Sequence, residues 1–133
     1  MITFVYGPKG SGKTKRLIDA ANDSALTSDG NVVYVTDQPK HSAMVKTAIR
    51  FVDSAEYGID TAEATLGFIK GILSSNNDIT HVYIDGLARM TGVDISDMED
   101  FYKSLESLGK KDGVQFVVTV SMEHPPEFIH KYI

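Results

Sequence analysis

Gly7, Pro8, Lys9, Gly10, Ser11, Gly12, Lys13 and Thr14 follow one another in the pattern G-x-x-x-x-G-K-[ST]. At ordinary residue frequencies a chance match in so short a chain has a probability of roughly 0.5%. The chemistry of such a segment is phosphate binding. Glycines accept backbone angles that side chains forbid, so successive N–H groups can turn inward and form a concave anion nest. A helix that starts at the end of the nest adds unpaired N–H groups and the positive end of its dipole. Lys13 is then expected on the β- and γ-phosphates of a nucleoside triphosphate and the Thr14 hydroxyl on Mg²⁺. Lys9 and Lys15 join the candidate contacts through their charge, although Lys15, like Arg16, also reads as a solvated helix residue.

A second group suited to a cation is Asp85, which ends the apolar run Val82-Tyr83-Ile84. A carboxylate at that point can hold Mg²⁺ beside the Thr14 hydroxyl. Any strand can also end in aspartate at a turn. The preceding phosphate loop is what favours the metal role. His41, His81, His124 and His130 are too scattered to suggest a metal centre.

These groups need elements to hold them. Ile2–Tyr6, Val32–Val35, His81–Ile84 and Gln115–Val120 are short, rich in β-branched residues and nearly continuous in hydrophobicity, as strands covered on both faces are. Helical spacing separates them. Leu17, Ile18, Ala21 and Ala25 share a face in a helix from Lys13 to Ala25; Leu66, Ile69, Ile72 and Leu73 share another, with Asp60 and Glu63 as its capping box. Met98, Phe101, Leu105 and Leu108 follow an Asp94 cap, with Gly109 or Gly113 as the stop. A shorter helix is expected after Pro39, a brief strand at Ile49–Val52, and a docked helix or edge strand in the tail Pro125–Ile133. The alternation predicts one α/β domain over residues 1–133: three layers, α/β/α, around a parallel sheet of four or five strands. Ligands of such sheets lie beyond the carboxyl ends of the strands.

With the loop and Asp85 in place, the chain resembles the P-loop NTPase superfamily over most of its length, and within it the RecA-like branch and small single-domain bacterial ATP-binding proteins. The resemblance implies ATP and Mg²⁺ as ligands, and the lack of an N-K-x-D segment after Asp85 argues against GTP. It also implies that Gln115–Val120 lies between the loop strand and the Asp85 strand, with Thr119 and Ser121 near the γ-phosphate. Many such ATPases carry glutamate directly after the metal-binding aspartate; here that residue is Gly86. RecA-like members can instead use a carboxylate after the second strand, which Asp37 can supply, although Asp37 can equally cap the helix near Pro39. Glu123 is a second candidate base. Arg89 is the best-placed candidate for a cation that neutralises charge developing at the phosphoryl group, and also reads as a solvated arginine.

Composition bounds the reading. With 133 residues there is room for one domain and its core. Thirteen basic against 18 acidic residues give a net charge of −5, which argues against general nucleic-acid binding. No apolar run suggests membrane insertion, nothing before the first strand reads as a secretory signal, and the absence of cysteine fits a cytoplasmic protein. Three activities remain open. The first is a small ATPase or ATP-driven regulator, weak alone and completed by a protein partner or a second copy; the others are a passive ATP-binding switch and a nucleoside or nucleotide kinase. Against the kinase, the chain lacks the cysteines of the zinc-binding lasso in thymidine-kinase-type relatives, and no arginine-rich lid is evident.

Overall fold

A computed structural model describes residues 1–122 and 126–130. Five strands form one sheet: β1 (Ile2–Gly7), β2 (Asn31–Thr36), β3 (Arg50–Asp53), β4 (Ile79–Asp85) and β5 (Gln115–Ser121). All neighbours pair in parallel, in the order β1-β5-β4-β2-β3. The strand Gln115–Ser121 therefore separates the loop strand from the Asp85 strand: Phe116 stands opposite Ile2 on one side and Val82 on the other. The register also brings Gly7 level with Ser121, and Thr36 level with Asp85, at the carboxyl ends.

The period-two alternation of each strand divides the core between two faces. Val32, Tyr34 and Tyr83 pack with Leu17, Ile18 and Ala21 of helix α1 (Lys13–Thr27). On the opposite face Val33, Val35, Val82, Ile84, Phe116 and Val118 meet α2 (Ala62–Ser74), α3 (Leu87–Thr91), α4 (Glu99–Asp112) and α5 (Glu127–His130). Three layers result because each apolar face needs its own cover. Leu17, Ile69 and Leu105 are fully buried, and each such burial contributes about 1.5–3 kcal/mol.

Helix boundaries differ from the sequence expectation in three places. Thr61, not Asp60, caps α2: its Oγ1 accepts from Ala64 N at 3.0 Å. The helix starts one residue later than a box beginning at Asp60 requires, so Glu63 falls too early to complete one. Asp94 caps the 3₁₀ turn Ile95–Asp97, accepting from Ser96 N at 3.0 Å, while α4 begins after Met98 without a side-chain cap. Gly113, at φ 69°, ends α4. Gly109 lies inside the helix, where a Cβ would come within 2.7 Å of the Val114 carbonyl oxygen. The residues after Pro39 form a 3₁₀ turn, Pro39–Met44, and the brief strand runs Arg50–Asp53. In the tail, Glu127–His130 is helical and Ile129 is buried in the core. Among the described residues no helix is long and apolar enough to cross a membrane.

Candidate nucleotide-binding site

Strand β1 ends at Gly7 and α1 begins at Lys13, so the glycine-rich segment is the turn between them. Gly10 and Gly12 stand at φ 83° and 85°, in the left-handed region where L side chains are strained. Gly12 is the residue from which α1 starts, and its carbonyl oxygen accepts from Arg16 N at 3.1 Å. The turn closes with Ser11 N donating to the Pro8 carbonyl oxygen at 3.2 Å.

Lys13 is buried and folds back over the turn, where its Nζ donates to the Pro8 carbonyl oxygen at 2.9 Å. Burial holds its pKa below the ordinary lysine value; Arg16 pushes the same way and the Asp85 carboxylate opposes. The flanking cations are differently placed. Lys15 is exposed on α1 and pairs with Asp19 at 2.9 Å, the local i,i+4 contact of a solvated helix face. Arg16 donates from Nη2 to the Tyr6 carbonyl oxygen at 3.3 Å. Lys9 is exposed and lines a pocket of about 210 Å³ together with Gly86, Arg89, Thr119 and Ser121.

Asp85 ends β4 only 4% exposed, and both of its oxygens are engaged. Thr14 Oγ1 donates to Oδ2 at 2.9 Å, and Thr119 Oγ1 donates to Oδ1 at 2.6 Å. Thr119 Oγ1 in turn accepts from Gly86 N at 3.3 Å. Thr119 is thus committed to the carboxylate, whereas Ser121 is exposed at the end of β5. Hydroxyls that steady a buried carboxylate limit its desolvation cost.

Asp37 lies one residue past β2 and meets Arg89. The guanidinium donates from Nη2 to Oδ1 at 2.9 Å, and from Nε to Oδ1 at 3.2 Å and Oδ2 at 3.3 Å. The cap role open to Asp37 falls to no side chain: the 3₁₀ turn starts from Gln38 without one. Gly86, at φ 93°, leaves room for this pair, because a Cβ there would come within 2.1 Å of Arg89 Nη2. Arg89 is therefore an ion-paired side chain at the mouth of the site. Its place was open to sequence reasoning in one respect. Side chains of a helix tilt toward its N-terminus, so the third residue of a helix opened by glycine folds back over that glycine.

Tyr34, on the α1 face of β2, is fully buried and stacks on Phe51 with ring centroids 5.7 Å apart. Its hydroxyl has no hydrogen-bond partner among the described residues. Burial raises the phenol pKa strongly, the Asp85 charge adds to the rise and Arg89 opposes it.

The structure thus brings together the loop, Lys13, Thr14, Asp85, Thr119, Asp37 and Arg89 at the carboxyl end of the sheet. Glu123 lies outside the described residues. Among the described residues no cluster of three or more histidines and carboxylates could hold a metal ion on its own. Comparison with protein-family models and with curated proteins finds no match.

Proposed function

We propose that this chain is a Mg²⁺-dependent ATP-binding protein of the P-loop NTPase type, RecA-like in strand order, that hydrolyses ATP slowly on its own. The observation that carries the reading is the Thr14–Asp85 hydrogen bond of 2.9 Å, which joins the end of the glycine-rich turn to a carboxylate 71 residues away. A phosphate loop needs those two groups side by side, because hydroxyl and carboxylate together hold the cation that neutralises the phosphates. Support also comes from β5 between β1 and β4, and from the left-handed glycines of the turn.

The residues present fit such a ligand. Backbone N–H groups of residues 10–14 and the Lys13 ammonium would hold the phosphate chain, and Thr14 with Asp85 would hold Mg²⁺. The metal would supply charge neutralisation at the β- and γ-phosphates. Lys13 needs only to exchange the Pro8 carbonyl oxygen for a phosphate oxygen, a stronger, charge-assisted acceptor. Asp37 is the candidate to orient and deprotonate water, and Arg89 the candidate cation beside it.

A passive switch is the second reading, and the Asp37–Arg89 pair favours it. Both oxygens of Asp37 already accept from Arg89, so the guanidinium competes with water for the lone pairs that a base would use. We place the chain in the cytoplasm, acting with a protein partner or a second copy.

The decisive experiment is a single-turnover assay with excess protein, labelled ATP and Mg²⁺, with Lys13→Ala as control. Wild type forms product slowly and the variant neither binds nor turns over. Wild-type affinity for ATP in Lys13→Ala would refute the assignment; ATP bound but intact on wild type would select the switch.

A further inference from the structure

We infer that Arg89 is the residue by which this chain distinguishes a nucleoside triphosphate from a diphosphate, leaving Asp37 for the terminal phosphate. The inference rests on the phosphate-loop reading and adds a sensor to it. Three observations point to Arg89.

The first is position. The guanidinium covers Gly86 so closely that a Cβ there would come within 2.1 Å of Nη2. Gly86 directly follows Asp85, the carboxylate bonded to Thr14. Arg89, Gly86, Thr119, Ser121 and Lys9 line one pocket of about 210 Å³, so open space runs from the guanidinium to the loop. A phosphate lying beyond one cradled by the loop would be the group to reach this space.

The second is the accessibility of the present pairing. The Arg89 side chain is 49% exposed and Asp37 20%. Water reaches a partly exposed pair and screens it, so a more highly charged acceptor can compete for one partner. A terminal phosphate offers close to two negative charges and three acceptor oxygens against the single charge of Asp37, and the planar guanidinium fork matches it. The charges of Asp37 and Asp85 both already act on Arg89, so the guanidinium sits where anionic groups compete for it.

The third is local construction. Gly86 opens α3 in the left-handed region, and the space left by its missing side chain is the space that Arg89 fills. A side chain at residue 86 would evict the guanidinium. A simple tie between α3 and β2 would need no access to the loop, whereas Arg89 shares a pocket with Lys9 of that loop.

The test compares Mg²⁺–ADP with Mg²⁺–adenylyl imidodiphosphate by calorimetry on wild type, Arg89→Ala, Arg89→Lys and Asp37→Asn, with circular dichroism as the fold control. Arg89→Ala should lose about tenfold in affinity for the triphosphate analogue and keep its affinity for ADP, with part of the loss recovered in Arg89→Lys. Asp37→Asn removes the competing carboxylate and should raise the ratio of analogue to ADP affinity. In ¹H–¹⁵N spectra the Arg89 Nε resonance should move with the analogue and stay with ADP. An unchanged affinity ratio in Arg89→Ala, with an unmoved resonance, would overturn the sensor and leave the phosphate loop standing. Failure of wild type to bind either nucleotide would overturn the loop reading and the sensor with it. Should Arg89→Ala unfold, Asp37→Asn and the resonance still decide.

Discussion

Thr14 Oγ1 and Asp85 Oδ2 are 2.9 Å apart, one on the first turn of α1 and the other at the end of β4. The register sets Ile84 opposite Val118 and Val118 opposite Phe4, so β4 ends about two residues short of Gly7 and the first turn of α1 reaches back to meet it. The hydroxyl gives its proton to the carboxylate and keeps its own lone pairs, so a divalent cation at this point would meet the hydroxyl oxygen with the hydrogen bond still in place.

Asp85→Asn follows from that relationship. The amide keeps the size of the carboxylate and can still bond Thr14 and Thr119, but loses the charge that attracts Mg²⁺. Nucleotide titrations with Mg²⁺ and with chelator should therefore converge: the gain that Mg²⁺ gives wild type falls at least tenfold, while affinity in chelator changes little. A variant whose Mg²⁺ dependence matches wild type would take Asp85 out of the metal site.

Asp37→Asn tests the base. If Asp37 takes the proton from water, the variant retains ATP and loses single-turnover hydrolysis by about 10²-fold or more. Loss of product with ATP still bound supports the role. Hydrolysis at the wild-type rate removes Asp37 and leaves Glu123 as the remaining carboxylate candidate.

How far the site was legible follows from how local its causes are. The glycine turn, the four long strands and the apolar face of α1 are set by residues close in sequence, and each lies within a residue or two of its expected bounds. The place of Asp85 at a strand end is legible because an apolar run leads into it. The Asp37–Arg89 pair was not, because its members are 52 residues apart and meet only through the register of β2 with β4 and the start of α3. The donation from Thr119 to Asp85 is likewise not legible. Strand alternation reveals which face a residue takes but not which of two nearby acceptors its hydroxyl chooses. The Thr61 cap shows the same limit at a helix end: one residue of displacement turns a capping box into a single cap.

Tyr34→Phe should stabilise the fold. The ring is fully buried against Phe51, and its hydroxyl lies in the core without a partner among the described residues. An unsatisfied buried donor costs about 1–3 kcal/mol, and phenylalanine keeps the packing while removing it. Denaturant melts should show an increase of about 1 kcal/mol. A decrease of similar size would mean that the hydroxyl is satisfied by water or by another group in solution.

Lys13 gives the pH dependence. Burial, the first cause, and Arg16 hold its pKa below the ordinary 10.5 in the free protein, against the pull of Asp85. In the unfolded chain the lysine regains its ordinary value, so between the two pKa values the unfolded state binds more protons. The contribution of this group to stability is then lowest at neutral pH and rises as pH climbs through the folded pKa toward 10.5. Nucleotide affinity moves the other way. Bound phosphate favours the ammonium and raises its pKa, so binding takes up a proton wherever free Lys13 is neutral and bound Lys13 is charged. The terminal phosphate, with a pKa near ~6, is already ionised in that range and adds nothing. Calorimetry in buffers of different ionisation enthalpy should find no uptake by Lys13 at neutral pH, then increasing uptake and falling affinity as alkaline pH is approached. Proton release in the alkaline range, or affinity that stays flat through 10.5, would mean that Lys13 does not meet the phosphates.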